Sequence, residues 1–175
     1  MKRVLNPLLL IAMMLPLVTG SCTKDDTEDP VSFETDLAHF KNTAKAVVHS
    51  SAVGIGEVLK TIPDSAGKVG IIRIYIDSIR FYDDHSGYFY VYNYQCVNIA
   101  HATQKNLQGQ DLYNYQDCKG KYVIRELSAA AAKGGGFVEF YWIKPGSTGE
   151  KLKIGYVESI PGTNFFIGSG VYVPE

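Results

Sequence analysis

The chain has 175 residues, with 17 basic and 18 acidic side chains and a formal net charge of −1 at neutral pH. This length suits one ordinary domain, and it excludes both a multidomain machine and a miniprotein that needs a metal or disulfide scaffold. The near-neutral charge gives no electrostatic basis for binding nucleic acid or an anionic lipid surface.

Residues 1–21 have the layout of a secretory signal peptide. Two basic residues, Lys2 and Arg3, precede a short apolar run, and small residues precede Cys22. The alternative is a transmembrane helix, but a span needs about 20 predominantly apolar residues, and this run is shorter and is interrupted by prolines. Removal of the segment leaves a working protein of about 150 residues.

Gly20, Ser21 and Cys22 resemble the bacterial lipobox, in which a cysteine is diacylated on sulfur before cleavage. The resemblance implies that Cys22 becomes the first residue of a lipoprotein, held to the membrane through its acyl chains alone. Acidic residues in the following tether, residues 22–30, resemble the tag that exports some lipoproteins to the surface of Gram-negative bacteria; a solvated linker is the alternative. We therefore expect an outer-membrane or cell-surface lipoprotein of the cell envelope, with its folded domain at residues 31–175.

The front of this domain has helical periodicity. A long amphipathic helix is predicted from Ser32 to about residue 50, and a further helical piece is predicted before Pro63. Glycines predict a turn at residues 67–70. Residues 71–80 fit either a helix or a strand, because the spacing of their apolar residues matches both the helical period and the alternation of a strand.

Strand and turn patterns begin at residue 81. Residues 83–85, Asp-Asp-His, predict a solvated turn, and metal ligation by these side chains is the alternative. The remaining elements are strands at residues 87–94 and 97–102, a helix at residues 121–133, and strands at residues 137–143, 151–160 and 165–173. This order predicts an α+β domain with an antiparallel sheet.

Tyrosines alternate along the first predicted strand. All 12 Tyr of the chain follow residue 74, and one face of this strand carries Tyr88, Tyr90, Tyr92 and Tyr94. A buried phenol needs a hydrogen-bond partner, so we expect this face to lie near solvent or to line a cavity for a polar ligand. A half-exposed sheet face without a ligand is the alternative.

No catalytic constellation is recognisable. The cysteines lack zinc spacing, and the sequence has neither a haem-attachment motif nor a phosphate-binding loop. We therefore predict a non-enzymatic protein without a cofactor or metal. Cys96 and Cys118 remain after lipidation of Cys22, and an extracytoplasmic location favours a disulfide between them; two separate buried thiols are the alternative.

Blocks of the second half resemble, in order, those of the single Cache domain. They include residues 86–92 (SGYFYVY), 134–138 (GGGFV) and 170–172 (GVY), and the resemblance covers about residues 70–173. It implies a PAS-like extracytoplasmic sensor fold, with a long N-terminal helix packed on an antiparallel sheet and a small-ligand pocket on that sheet. Such domains commonly bind small organic acids, amino acids or similar metabolites.

The resemblance also implies a binding site. Its candidate residues are Tyr88, Tyr90, Tyr92, His101, Tyr141 and Lys153. A lysine aimed into an aromatic pocket is a good partner for a carboxylate, and hydroxyl groups would orient the acid. We expect a lipid-anchored binding module that signals through a protein partner. A structural or interaction lipoprotein whose Cache fold no longer binds a small molecule is the alternative.

Overall fold

In a computed structural model, residues 30–174 of the chain are described. The predicted signal segment, the lipidation site at Cys22 and nearly all of the acidic tether lie outside these residues. Within the described range, no helix is both long enough and apolar enough to cross a membrane.

Two helices form the front of the domain. Helix α1 spans Pro30–Lys60 and helix α2 spans Ser65–Asp77. The first helix is longer than predicted, because it continues without a break through two glycines. Gly56 lies where α1 passes the chain at Pro161 so closely that a Cβ atom would come within 3.0 Å of the proline ring. Burial on one side of α1 outweighs the weak helix propensity of glycine; its fully buried residues are Ala44, Val48, Ala52, Ile55 and Leu59.

The predicted turn at residues 67–70 is wrong, because these residues lie inside α2. The side chain of Asp64 caps this helix and accepts a hydrogen bond from the Gly67 N–H at 2.7 Å. A capped N-terminus, together with the burial of Ile72 and Ile76, stabilises a helix through glycines that by local propensity favour a turn.

The back of the domain is a five-stranded antiparallel sheet. Its strands are β1 (Tyr90–Asn93), β2 (Asn98–His101), β3 (Gly136–Ile143), β4 (Glu150–Ser159) and β5 (Phe165–Tyr172), and helix α3 (Val123–Ala132) precedes β3. The order across the sheet is β2-β1-β5-β4-β3, so β5 lies at the centre and joins the C-terminal meander to the first hairpin. The predicted α+β class, with a long helix on an antiparallel sheet, is confirmed.

The two faces of the sheet have different covers. Helix α1 packs on β4 and β5 on one face, and α3 packs against β3 and β4. Strand alternation places Phe140, Trp142 and Lys153 on the α3 face, and the strand pairing places Tyr90 opposite Gly168 on the same face. Polar and aromatic side chains therefore concentrate on the face that α3 covers.

The predicted disulfide is wrong, because Cys96 and Cys118 are both free thiols. Cys96 is buried in the turn after β1, where its backbone has a φ of 66° and its carbonyl accepts a hydrogen bond from Leu112 N–H. Cys118 is exposed, and its N–H donates to Glu150 at the start of β4. The two turns thus place one thiol inside the domain and the other in solvent.

Two glycines of the sheet make room for the ring of Tyr90. A Cβ atom at Gly168 would overlap this ring, and a Cβ atom at Gly155 would lie 2.8 Å from its hydroxyl oxygen. The ring therefore lies across the sheet backbone instead of standing above neighbouring side chains.

We expect Gly168→Ala to lower the free energy of unfolding by about 1–3 kcal/mol, because the added methyl group displaces the Tyr90 ring from a closely packed layer. Urea denaturation monitored by circular dichroism measures this change. Gly54→Ala is the matched control, since a Cβ atom there meets nothing within 4 Å and alanine favours the helix. Equal stability of Gly168→Ala and the wild type would show that the ring is not held in this way.

Candidate ligand-binding site

A small enclosed cavity lies between the sheet and α3. Its volume is about 10 Å³, close to the minimum for one water molecule. All its lining residues are buried. Five of the six predicted site residues line it, namely Tyr88, Tyr90, Tyr92, His101 and Lys153; the others are Val123, Ile124 and Leu127 of α3 and Phe140 and Trp142 of β3.

Strand register brings these side chains together. Tyr90 of β1 pairs with His101 of β2, and Lys153 of β4 pairs with Phe140 on one side and Tyr172 on the other. Paired residues of antiparallel strands project from the same face, so five different segments supply side chains to one point. The tyrosine face of the first strand is therefore interior, and its three cavity residues are at most 3% exposed.

Tyr141 is the predicted site residue that does not line the cavity. It alternates with Phe140 and Trp142 on β3, so its side chain projects from the other face of the sheet. There it is half-buried, and the Lys119 ammonium lies 5.5 Å from its ring centroid. The flanking residues Phe140 and Trp142 line the cavity instead, and strict alternation opposite Lys153 is the signal that would have identified them.

Lys153 has an unusual environment for a lysine. Its side chain is fully buried, and its Nζ atom lies 3.8 Å from the ring centroid of Tyr88, 4.6 Å from that of Tyr172 and 5.6 Å from that of Tyr90. Within the described part of the chain, neither this Nζ atom nor the Tyr90 hydroxyl has a hydrogen-bond partner. Burial lowers the pKa of Lys153 well below its ordinary value.

His101 is held as a neutral ring. Its Nδ1 accepts a hydrogen bond from the Gln104 N–H at 3.0 Å, so the proton of the neutral form lies on Nε2. Burial, with a smaller contribution from the positive charge of Arg80, lowers the pKa of His101 to about 3. The ring also stacks between those of Tyr90 and Trp142, with centroids 6.2 and 6.1 Å away.

Tyr172 is a neighbour of the site that the sequence did not identify. Its hydroxyl donates to the Ile143 carbonyl at 2.7 Å and therefore accepts from the Tyr88 hydroxyl, 3.0 Å away. Burial raises the pKa of Tyr88 to about 12, so both phenols stay protonated at neutral pH. Its pairing with Lys153 across β4 and β5 is the feature that could have identified it.

Helix α3 covers the cavity with apolar side chains and is fixed at both ends. Near its start, the Arg125 guanidinium lies between two aromatic rings, with its Cζ atom 3.9 Å from the ring centroid of Tyr113 and 3.7 Å from that of Tyr122. Its Nε–H also donates to the Tyr113 carbonyl. Near its end, Ser159 Oγ of β4 donates to the Ala131 carbonyl at 3.1 Å. The cover therefore belongs to the folded domain and is not a loose loop.

A second, larger cleft of about 450 Å³ opens between the first turns of α1, residues 82–86 and the end of β5. The predicted turn at residues 83–85 forms its edge, and the Asp84 carboxylate pairs with Lys144 at 2.7 Å. Its lining carries both acidic and basic side chains, so the cleft has no single charge preference. Across residues 30–174, no three His, Cys, Asp or Glu side chains are grouped so as to hold a metal ion.

The comparisons with known proteins agree with this fold. The family model described as Single Cache domain 2 matches residues 58–175. Sensor histidine kinase MctS of Rhizobium johnstonii is 36% identical over 143 residues, which are 81% of this chain and 29% of the kinase. The present chain thus spans less than a third of that relative.

Two solved structures align with this chain over nearly their whole length. A methyl-accepting chemotaxis protein from Vibrio parahaemolyticus is 28% identical, has a TM-score of 0.72 and aligns over 82% of this chain and 95% of its own. A Cache chemosensory domain described for carboxylic acid recognition is 26% identical, with a TM-score of 0.69, over 84% of this chain and 100% of its own. The family match and the similarity of the fold together show that this chain contains a Cache sensor domain and belongs to the single Cache domain 2 family.

Proposed function

We propose that the domain binds a small organic acid at Lys153. The observation that carries this proposal is a buried amine and a buried hydroxyl, Lys153 Nζ and Tyr90 Oη, that both lack a partner within the described residues. Buried polar groups in native proteins are nearly always hydrogen-bonded, so two such groups beside one cavity point to a ligand that accepts from both. A carboxylate does this with its two oxygens, and an ammonium is its stronger partner.

The relatives support this ligand class. Carboxylic acid recognition is the stated subject of one similar Cache structure, and the kinase and chemoreceptor relatives are sensor proteins. Carried over to this chain, the domain is a non-enzymatic sensor that passes its occupancy to a protein partner.

The ligand needs more space than the cavity offers. A volume of about 10 Å³ holds one water molecule, and even a two-carbon acid has more heavy atoms than one water molecule. The sheet side is fixed by strand pairing, so binding requires α3 to shift outward, and this shift is the signal that a partner would detect. The same small volume also favours a second candidate, a structural or interaction domain whose closed cavity admits no ligand.

We also propose that the domain is held at the cell envelope by a lipid on Cys22. The lipobox-like residues before this cysteine and the acidic tether after it support the anchor, and a sensor domain of this family acts outside the cytoplasm. The acidic residues of the same tether support extending this proposal to an outer-membrane or surface position.

The first test removes the amine. We expect acids of two to six carbons to raise the melting temperature of the wild type in a thermal-shift panel, and Lys153→Met to abolish every shift. Lys151→Met is the matched control on the same strand and should retain the shifts. If no acid shifts the wild type, the interaction candidate replaces the binding proposal.

The same Lys153→Met variant should be more stable than the wild type when no acid is added. Replacing an unpartnered buried amine by an apolar side chain of similar length removes a desolvation penalty of about 1–3 kcal/mol. Urea denaturation of the two proteins measures this difference. A less stable variant would mean that Lys153 is already well partnered.

Leu127→Ala tests whether α3 sets the size of the ligand. Truncation enlarges the cavity, so we expect the affinity for a six-carbon acid to rise relative to acetate, with a stability loss of about 2–5 kcal/mol. Calorimetric titration with both acids gives the ratio of the two affinities. Ile72→Ala is the control, because it truncates a buried side chain of α2 and should lower stability without changing the ratio. An unchanged ratio in Leu127→Ala would argue against α3 as the size limit.

The anchor has its own test. We expect Cys22→Ala to move the protein from the membrane fraction to the soluble extracytoplasmic fraction, while Cys118→Ala, which alters an exposed thiol of the folded domain, stays with the membrane. Immunoblots of fractionated cells report the difference. A membrane-bound Cys22→Ala protein would contradict the lipid anchor.

A further inference from the structure

We propose that the site takes up one proton together with each acid it binds, and that Lys153 holds this proton as an ammonium in the complex. The inference deepens the proposed function and rests on it. Its basis is the set of groups that face the Nζ atom from each packed element.

Among residues 30–174, no group around Lys153 supplies a negative charge. Strand β1 presents the phenols of Tyr90 and Tyr92, and Tyr88, two residues before this strand, presents a third. Strand β2 presents the neutral His101 ring, and β5 presents the phenol of Tyr172. Strand β3 and helix α3 contribute only Phe140, Trp142, Val123, Ile124 and Leu127 to the cavity.

These neighbours stay uncharged at neutral pH. Burial raises the pKa values of the three tyrosines nearest to Nζ and lowers that of His101 to about 3. Arg80 is the additional charge that acts on this region, and it is positive. Its guanidinium donates to the backbone carbonyl of Ala102 at 2.8 Å.

An ammonium in this position would be a buried charge without a counterion. Such charges are so unfavourable in a protein interior that the group releases its proton instead. The cation–π contacts with the tyrosine rings offset part of this penalty, but the same burial lowers the pKa of Lys153 well below its ordinary value. In the site without a ligand, the uncharged amine is therefore the favoured form of this side chain.

A carboxylate changes this balance. Placed beside Nζ, it supplies the missing negative charge, and the ion pair is far more favourable than an amine next to a carboxylate. The free acid is already ionised in solution, so the proton comes from the buffer. The amine, the proton and the carboxylate combine into an ammonium–carboxylate pair, and the net charge brought into the site is zero.

The sign of the pH dependence follows from this balance. Because binding consumes a proton, affinity falls as pH rises, by about tenfold per pH unit wherever the free amine is deprotonated and the complex is protonated. The sensor therefore responds to the product of acid and proton concentrations, and it responds more strongly in acidified surroundings.

Calorimetric titration of the full chain at pH 7.5, with acetate and butanoate as probes, tests this inference. Runs in phosphate, HEPES and Tris buffers give the number of protons taken up, as the slope of the observed enthalpy against the ionisation enthalpy of the buffer. We expect a slope near one for the wild type.

His101→Gln separates the two candidate proton acceptors, because the slope stays near one if Lys153 holds the proton and falls to zero if His101 does. Lys153→Arg carries a permanent charge, so any binding by it should show a slope near zero. Acid binding by the wild type with a slope near zero overturns this inference and leaves the proposed function standing. The absence of binding by either probe overturns both.

Discussion

The burial of one lysine between the sheet and α3 determines the chemistry of this domain. Lys153 lies on β4, next to the central strand, surrounded by aromatic rings and without a counterion among the described residues. Burial disfavours a charge on this side chain, and the same burial keeps the phenols and the imidazole around it neutral. The site is therefore polar but uncharged, and it becomes favourable for a cation only when an anion enters.

The candidate site and the packing that stabilises the fold lie on opposite faces of the sheet. On the α1 face, apolar packing between the long helix and strands β4 and β5 provides stability that does not depend on the site. On the α3 face, a ten-residue helix covers an imperfectly satisfied cavity. In the binding event that we propose, the outward shift of α3 leaves the packing on the α1 face unchanged.

Local sequence patterns predicted which helices and strands form more accurately than the residues at which they begin and end. The three C-terminal strands and α3 appear within two residues of their expected positions, because strict alternation and helical spacing leave few other arrangements. The turn at residues 67–70 was wrong, since capping by Asp64 and burial of Ile72 act on residues that favour a turn by themselves. The disulfide was wrong for a related reason: the side on which a turn presents a thiol depends on the whole fold.

The amino-acid sequence by itself determined the α+β class and the resemblance to the Cache family. That resemblance implied five of the side chains around the cavity, and alternation along one strand had already grouped the three tyrosines among them. It placed Tyr141 among them and missed Trp142 and Tyr172, since only strand pairing shows which face meets Lys153. The tertiary structure alone decided that the lysine has no counterion among residues 30–174 and that α3 closes the cavity. Both depend on contacts between segments far apart in the chain, which no local pattern records.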